Sequence, residues 1–247
     1  MEVKMNNKDT KVPFFGARFT EGVDINLVAR QIADCLNDNS ISELSEGVKQ
    51  TQVLMSCYRC AILEVETKFR VLNEQFSLRH ERNPIDTIKT RLKSPESIRE
   101  KLTRKNLPLT LETIEQELHD VAGIRVVCSF VDDIYMLSDC LLQQDDIKLI
   151  EKKDYIKNPK PNGYRSLHLI VEIPIFLQNE KRHMKVEVQL RTIAMEFWAN
   201  LEHKLRYKKN LSDEKAKITA QELNECAEMS ALLDQKMQKI RDEIYES

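Results

Sequence analysis

No apolar run in this chain approaches the length needed to span a bilayer. The first residues, MEVKMNNKDTKVPFFGARF, lack the apolar core of a signal peptide, so the cytosol is the expected compartment. Six cysteines in 247 residues are too few for a disulfide scaffold. Cys57 and Cys60 form a C-x-x-C pair, but no second pair at metal spacing accompanies it. They read as reduced helix cysteines. Net charge is only −2, which excludes a generic nucleic-acid binder, so any anion site must come from local clustering. No internal repeat or low-complexity tract is visible. Glycine is scarce, at five residues, and tryptophan occurs once.

What is present suits a globular protein. Apolar residues make up 41% and charged residues 32%, the latter above the usual quarter. Residues 1–22 carry no clear period and are expected to be flexible. Residues 23–82 read as helical, with a short helix at 25–38 and a long one at 41–80. The long helix carries a stripe of Leu44, Val48, Thr51, Met55, Tyr58, Ile62, Val65, Phe69, Leu72 and Phe76 at spacings of four and three. Residues 83–210 mix strands and helices. Strands are expected at 87–93, 123–130, 147–152, 167–173 and 183–190. Helices are expected near 95, at 110–119, at 131–142 and at 193–209. Glu180-Lys181-Arg182 marks a hairpin tip. Residues 211–247 form a last helix with a heptad-like seam: Leu223, Cys226, Ser230, Leu233, Met237, Ile240 and Ile244. That seam suits folding back on the domain or pairing with another subunit. The fold class is therefore α+β: a mixed sheet flanked by helices, with long helices at both ends.

One loop stands out. Asp154 to His168, DYIKNPKPNGYRSLH, holds two prolines, one of the five glycines, Lys157, Lys160, Arg165 and Tyr164. Lysines can meet phosphate and a tyrosine ring can stack on a base. A polar hairpin connection is the plainer alternative. Upstream, RLKSPESIREK opens a helix at Pro95, and Ser97 and Lys101 share its face. Between Arg79 and Lys105 nine Lys/Arg stand against four Asp/Glu. Converging cations at a helix start suit a polyphosphate, although a solvated basic face would look alike. Asp120, in DVAGIR, sits just before a buried strand and can hold Mg²⁺. In HMKVEVQL, Lys185, Glu187 and Gln189 share one strand face, and Met184, Val186, Val188 and Leu190 share the other. Glu187 and Asp120 are thus two carboxylates for metal binding or proton abstraction. A half-exposed antiparallel strand would also alternate. In EFWANLEHKLRYK, Trp198 reads as a core anchor and His203 as a structural histidine, while Glu202 can line a cleft.

The order of these motifs resembles the alarmone synthetase family related to the stringent-response enzymes. The likeness covers about residues 85–209, and the short length resembles the small stand-alone synthetases. It implies a nucleotidyltransferase-like fold. It also implies transfer of the β,γ-pyrophosphate of ATP to the 3′-hydroxyl of GTP, GDP or GMP, without alarmone hydrolysis. By the same resemblance, Asp120 and Glu187 bind Mg²⁺ or serve catalysis. Lys93, Ser97 and Lys101 grip ATP phosphates, with Arg91 and Arg125 beside the adenine. Tyr164 stacks on guanine, and Lys153, Lys160, Asn162, His168 and Gln189 orient the acceptor nucleotide. A homotetramer is implied, and RNA is a compatible ligand. An RNA-binding regulatory module, or a toxic synthetase using another acceptor, is the alternative. Two departures from the family matter. The EKKD segment at 151–154 does not match the charged signatures of long members, which leaves acceptor preference open. Product-activated members carry asparagine where this chain has Glu196, whose charge is expected to repel a phosphate-rich effector.

Overall fold

A computed structural model describes residues 38–80, 82–206 and 213–245. The chain divides into two units, residues 1–50 and 51–247. From the first unit, the structure describes only the start of helix α1, Asp38–His80. The expected short helix at 25–38, the flexible segment at 1–22 and residues 207–209 lie outside the described residues, apart from Asp38. The α1 stripe is buried at Met55, Tyr58, Ile62, Val65, Phe69 and Leu72, whereas Val48 is exposed.

The remaining elements run β1 (Ile85–Leu92), α2 (Pro95–Arg104), α3 (Leu111–Glu117), β2 (Ala122–Cys128), α4 (Val131–Leu142), β3 (Lys148–Asp154), β4 (Leu167–Phe176), β5 (Lys181–Thr192), α5 (Ile193–Arg206) and α6 (Asp213–Tyr245). Five strands form one sheet in the order β1-β2-β5-β4-β3. Only β2 and β5 are parallel; the other neighbours are antiparallel. The apolar run of β2 thus lies second in the sheet, paired on both sides, which is why it tolerates burial at nearly every position. β5 alternates as its sequence dictates: Met184, Val186, Val188 and Leu190 are buried in the core. The hairpin between β4 and β5 turns two residues earlier than expected. Leu177 N–H donates to Glu180 O at 2.9 Å, and Lys181 already pairs with Phe176. Glu180 closes the turn, and Lys181 and Arg182 open β5, with Lys181 exposed to solvent.

Local signals set the helix starts. Ser94 caps α2 by accepting from Ser97 N–H, with Pro95 in the first turn, and Thr110 caps α3 by accepting from Thr113 N–H. α6 packs against the domain through mostly polar contacts. Trp198 Nε1–H donates to Leu223 O at 2.8 Å, Thr192 Oγ1 to Asp234 Oδ2 at 2.6 Å, and Arg241 forks onto Asp132 at 2.7 and 2.6 Å. Ala227 and Asp234 are buried there, while Leu233, Met237, Ile240 and Ile244 of the seam are exposed. The seam therefore does not serve as the intrachain contact beyond Leu223 and Ser230, which are half-buried.

Candidate active site

Strand register gathers the polar side chains on one sheet face. Gly123 lies between Arg91 on β1 and Glu187 on β5. Arg125 lies between Lys89 and Gln189. Gln189 pairs with His168 on β4, which pairs with Lys153 on β3. Residues directly opposite across a ladder point the same way. Arg91, Arg125, Glu187, Gln189, His168 and Lys153 thus share a face, and Gly123 leaves room between them.

Asp120 sits two residues before β2. Its Oδ2 accepts from Lys93 Nζ at 2.8 Å and from Lys101 Nζ at 2.7 Å. Burial pushes the Asp120 carboxyl up, but Lys101 and Lys93 more than offset this and hold it below its ordinary value. Its Oδ1 is buried without a hydrogen-bond partner. A buried, ionised oxygen of this kind suits a hard cation, so the residues present fit Mg²⁺. Among the described residues no group of three or more His, Cys, Asp or Glu converges, so substrate phosphates and water would have to complete any metal shell. Ser97 lies exposed one turn before Lys101, its Oγ 3.2 Å from Ser94 Oγ.

Glu187 is held on both oxygens. His168 Nδ1 lies 3.5 Å from Oε1, and Gln189 Nε2 donates to Oε2 at 3.0 Å. Burial raises its carboxyl pKa and nearby Asp120 does too, but His168 and Gln189 leave it lowered. It is therefore ionised at neutral pH, the form that can accept a proton or a cation.

The Asp154–His168 loop is built around rings. Tyr164 packs edge-on to Tyr155 and His168, and its hydroxyl lies 2.8 Å from His168 Nε2. Lys160 Nζ stands 4.6 Å from the Tyr155 centroid and 4.9 Å from that of Tyr164. Asn162 links the loop to α5. Its Oδ1 accepts from Tyr164 N–H, and its Nδ2 donates to Glu202 Oε1 at 3.2 Å. Gly163 has a φ of +84°, and a Cβ there would come within 2.5 Å of Ala227 Cβ on α6. Arg165 donates to Ala227 O at 3.3 Å. Lys153 is exposed and paired with Glu151 at 2.9 Å. His203 is exposed, whereas Trp198 is buried as expected.

Two buried charges were not singled out in the sequence as site residues: Arg191 as a whole, and Glu196 in this role. Glu196 does not project as a free negative charge. It is 6% exposed and takes hydrogen bonds from Lys89 at 3.0 Å, Arg125 at 3.2 Å, Arg191 at 3.0 Å and Asn200 at 3.0 Å. Arg191 donates to Glu196, Gln189, Ser166 and the Tyr164 hydroxyl. The alternation that aligns Lys185, Glu187 and Gln189 extends to Arg191, so the signal was in the strand period. What the period cannot show is that Arg191 is buried.

Residues 90–212 match the profile of the region found in RelA and SpoT proteins. The GTP pyrophosphokinase YwaC of Bacillus subtilis (strain 168) is 46% identical over 187 residues, which cover 76% of this chain and 88% of that one. The crystal structure of small alarmone synthetase 2 from Bacillus subtilis superposes with a TM-score of 0.67 at 42% identity, covering 76% of this chain and 96% of that one. Small alarmone synthetase 1 from the same organism, bound to its product pppGpp, gives 0.70 at 35% identity and covers 79% and 98%. With the sheet, the paired carboxylates and the tyrosine loop in the same chain, this protein belongs to the small alarmone synthetases, in the family defined by the RelA and SpoT region.

Proposed function

We infer that this protein is a GTP pyrophosphokinase that moves the β,γ-pyrophosphate of ATP to the 3′-hydroxyl of a guanine nucleotide. GTP, GDP and GMP would give pppGpp, ppGpp and pGpp, each with AMP. The observation that carries this reading is the proximity of two half-buried carboxylates, Asp120 just before β2 and Glu187 on β5, both with lowered pKa, with lysines on one side and a tyrosine platform on the other.

In this reading Lys93, Lys101 and Ser97 take the ATP phosphates, and the two lysines leave Asp120 as they do so. Arg91 and Arg125 lie against adenine, using their guanidinium planes. Guanine stacks on Tyr164, with Lys160, Lys153, His168 and Gln189 around the acceptor's ribose and phosphates. Asp120 and Glu187 would hold Mg²⁺, which would supply charge neutralisation on the phosphates. The acceptor 3′-oxygen forms a bond to the β-phosphorus, the bond from that phosphorus to the α–β bridging oxygen breaks, and AMP leaves with that oxygen. Glu187 accepts the 3′-hydroxyl proton. Little covalent help is needed from the protein, because phosphoryl-type transfer rests on positioning and electrostatics.

The reading includes a homotetramer, supported by the exposed apolar residues of α5 and α6, and a cytosolic location. It omits product activation: Glu196 occupies Lys89, Arg125 and Arg191, cations that would otherwise meet an effector's phosphates. Purified protein with ATP and Mg²⁺, offered GTP, GDP and GMP separately, tests it. The expected outcome is a 3′-pyrophosphorylated product and AMP on anion exchange, abolished by EDTA. AMP-free reactions with all three acceptors would overturn it.

A further inference from the structure

Arg191 and Glu196 touch both halves of the site while neither carries a role in the reaction described above. Arg191 is 4% exposed and Glu196 6%. Buried charges persist when paired and hydrogen-bonded, and a guanidinium offers its donors in a rigid fork. Arg191 uses four of its five donors. It donates to Glu196 Oε2 at 3.0 Å, to Gln189 Oε1 at 2.9 Å, to Ser166 Oγ at 3.4 Å and to the Tyr164 hydroxyl, with its Cζ 4.9 Å from the Tyr164 ring centroid. Glu196 Oε1 accepts from Arg125 Nη1, and Gln189 Oε1 lies 3.5 Å from Arg125 Nη2. The path Arg125–Glu196–Arg191–Tyr164 therefore runs without a break. It continues from Tyr164 to His168 and on to Glu187, and Gln189 closes it back to Arg191.

The geometry points to Arg191 and Glu196 as one positioning unit that sets Arg125 and Tyr164 together, so that the ATP site and the acceptor site are coupled. This rests on the reading that Arg125 faces the donor base and Tyr164 the acceptor base. A base stacked on Tyr164 fixes the ring and its hydroxyl. That fixes Arg191, which fixes Glu196 Oε2 and leaves Oε1 toward Arg125. The ordering cost of the shared network is then met once, by whichever nucleotide arrives first, and the second binds tighter. Coupling between binding sites is reciprocal, so the effect must appear whichever nucleotide is added first. Neither residue touches a reacting atom, so both are positioning residues.

The test is calorimetric binding of a non-hydrolysable ATP analogue and of GDP, each alone and in the presence of the other. The wild-type protein, Glu196→Gln, Arg191→Lys and Tyr164→Ala are compared. In the wild type each nucleotide is expected to tighten the other by about five-fold or more, by equal factors. Glu196→Gln and Arg191→Lys each lose that factor and weaken both nucleotides, whereas Tyr164→Ala weakens GDP and leaves the analogue's affinity when added alone unchanged. Arg191→Lys keeps the charge opposite Glu196, so it answers the question if Glu196→Gln does not fold, and the wild-type coupling is read independently of both. Uncoupled binding in the wild type overturns the inference, as does Glu196→Gln or Arg191→Lys weakening one nucleotide only or keeping the coupling. Those results leave pyrophosphate transfer standing if the wild type still makes product. A wild type that binds neither nucleotide and makes no product removes the underlying reading as well.

Discussion

At the scale of single residues, the proposed chemistry rests on two carboxylates, and a third holds the cations beside them. Asp120→Asn removes the charge shared by Lys93 and Lys101, and Glu187→Gln removes the group between His168 and Gln189. Each is expected to lower product formation by at least about 100-fold, with circular dichroism unchanged. Turnover like that of the wild type in either variant would remove the roles given to these residues. Tyr164→Ala takes away a stacking face worth about 1–3 kcal/mol, so acceptor affinity should fall roughly 5- to 150-fold. Glu196 adds a pH signature. Burial pushes its carboxyl up, yet Lys89, Asn200, Arg125 and Arg191 bring it down to about 2 from an ordinary 4.5. The folded value lies below the unfolded one, so this stabilisation is complete above about pH 4.5 and is lost as pH falls toward 2. It is on the order of 3 kcal/mol at neutral pH. Urea midpoints measured from pH 6 to 2 should fall less steeply in Glu196→Gln than in the wild type. The identity and spacing of Asp120, Tyr164 and Glu187 were legible in the chain. The partners of Glu196 were not, because Lys89, Arg125 and Arg191 reach it from three strands.

Among elements, the strands were the most legible part. An alternation such as Met184-Lys185-Val186-Glu187 states which side chains enter the core and which share the opposite face. The order β1-β2-β5-β4-β3 was not legible, since nothing local tells β2 to lie parallel to β5. That pairing is what sets Gly123 against Glu187 and brings Asp120 near it. The Asp154–His168 loop also depends on a distant element. Gly163 combines a positive φ with a close approach to Ala227 and Asn224 of α6. Gly163→Ala should therefore cost about 1–3 kcal/mol, seen as a lower thermal midpoint. An unchanged midpoint would mean that the loop does not rest on α6. The last helix was recognised from its heptads, but its docking was not. Docking uses Ala227, Asp234 and Arg241, on the stripe beside the apolar seam.

At the scale of the whole molecule, α5 and α6 each carry an exposed apolar row among the described residues. Ile193, Phe197, Leu201 and Leu205 recur every four residues on α5, and Leu233, Met237, Ile240 and Ile244 lie along α6. Contiguous exposed apolar rows suit an association surface. If the proposed tetramer forms there, the combined substitution Phe197→Asp and Met237→Asp should yield a smaller species by light scattering, with secondary structure retained. A tetramer that survives both charges would move the interface elsewhere. No helix among the described residues is long and apolar enough to cross a membrane. The sequence by itself determined the element types, the two catalytic carboxylate candidates, the tyrosine loop and the family resemblance, because periodicity, capping and motif order are local properties of a chain. Only the tertiary structure decided which cations neutralise Asp120 and Glu196, which face of α6 docks, and that Arg191 stands between Glu196 and Tyr164. Those depend on strand register and burial, which arise when segments far apart in sequence share one low-dielectric interior.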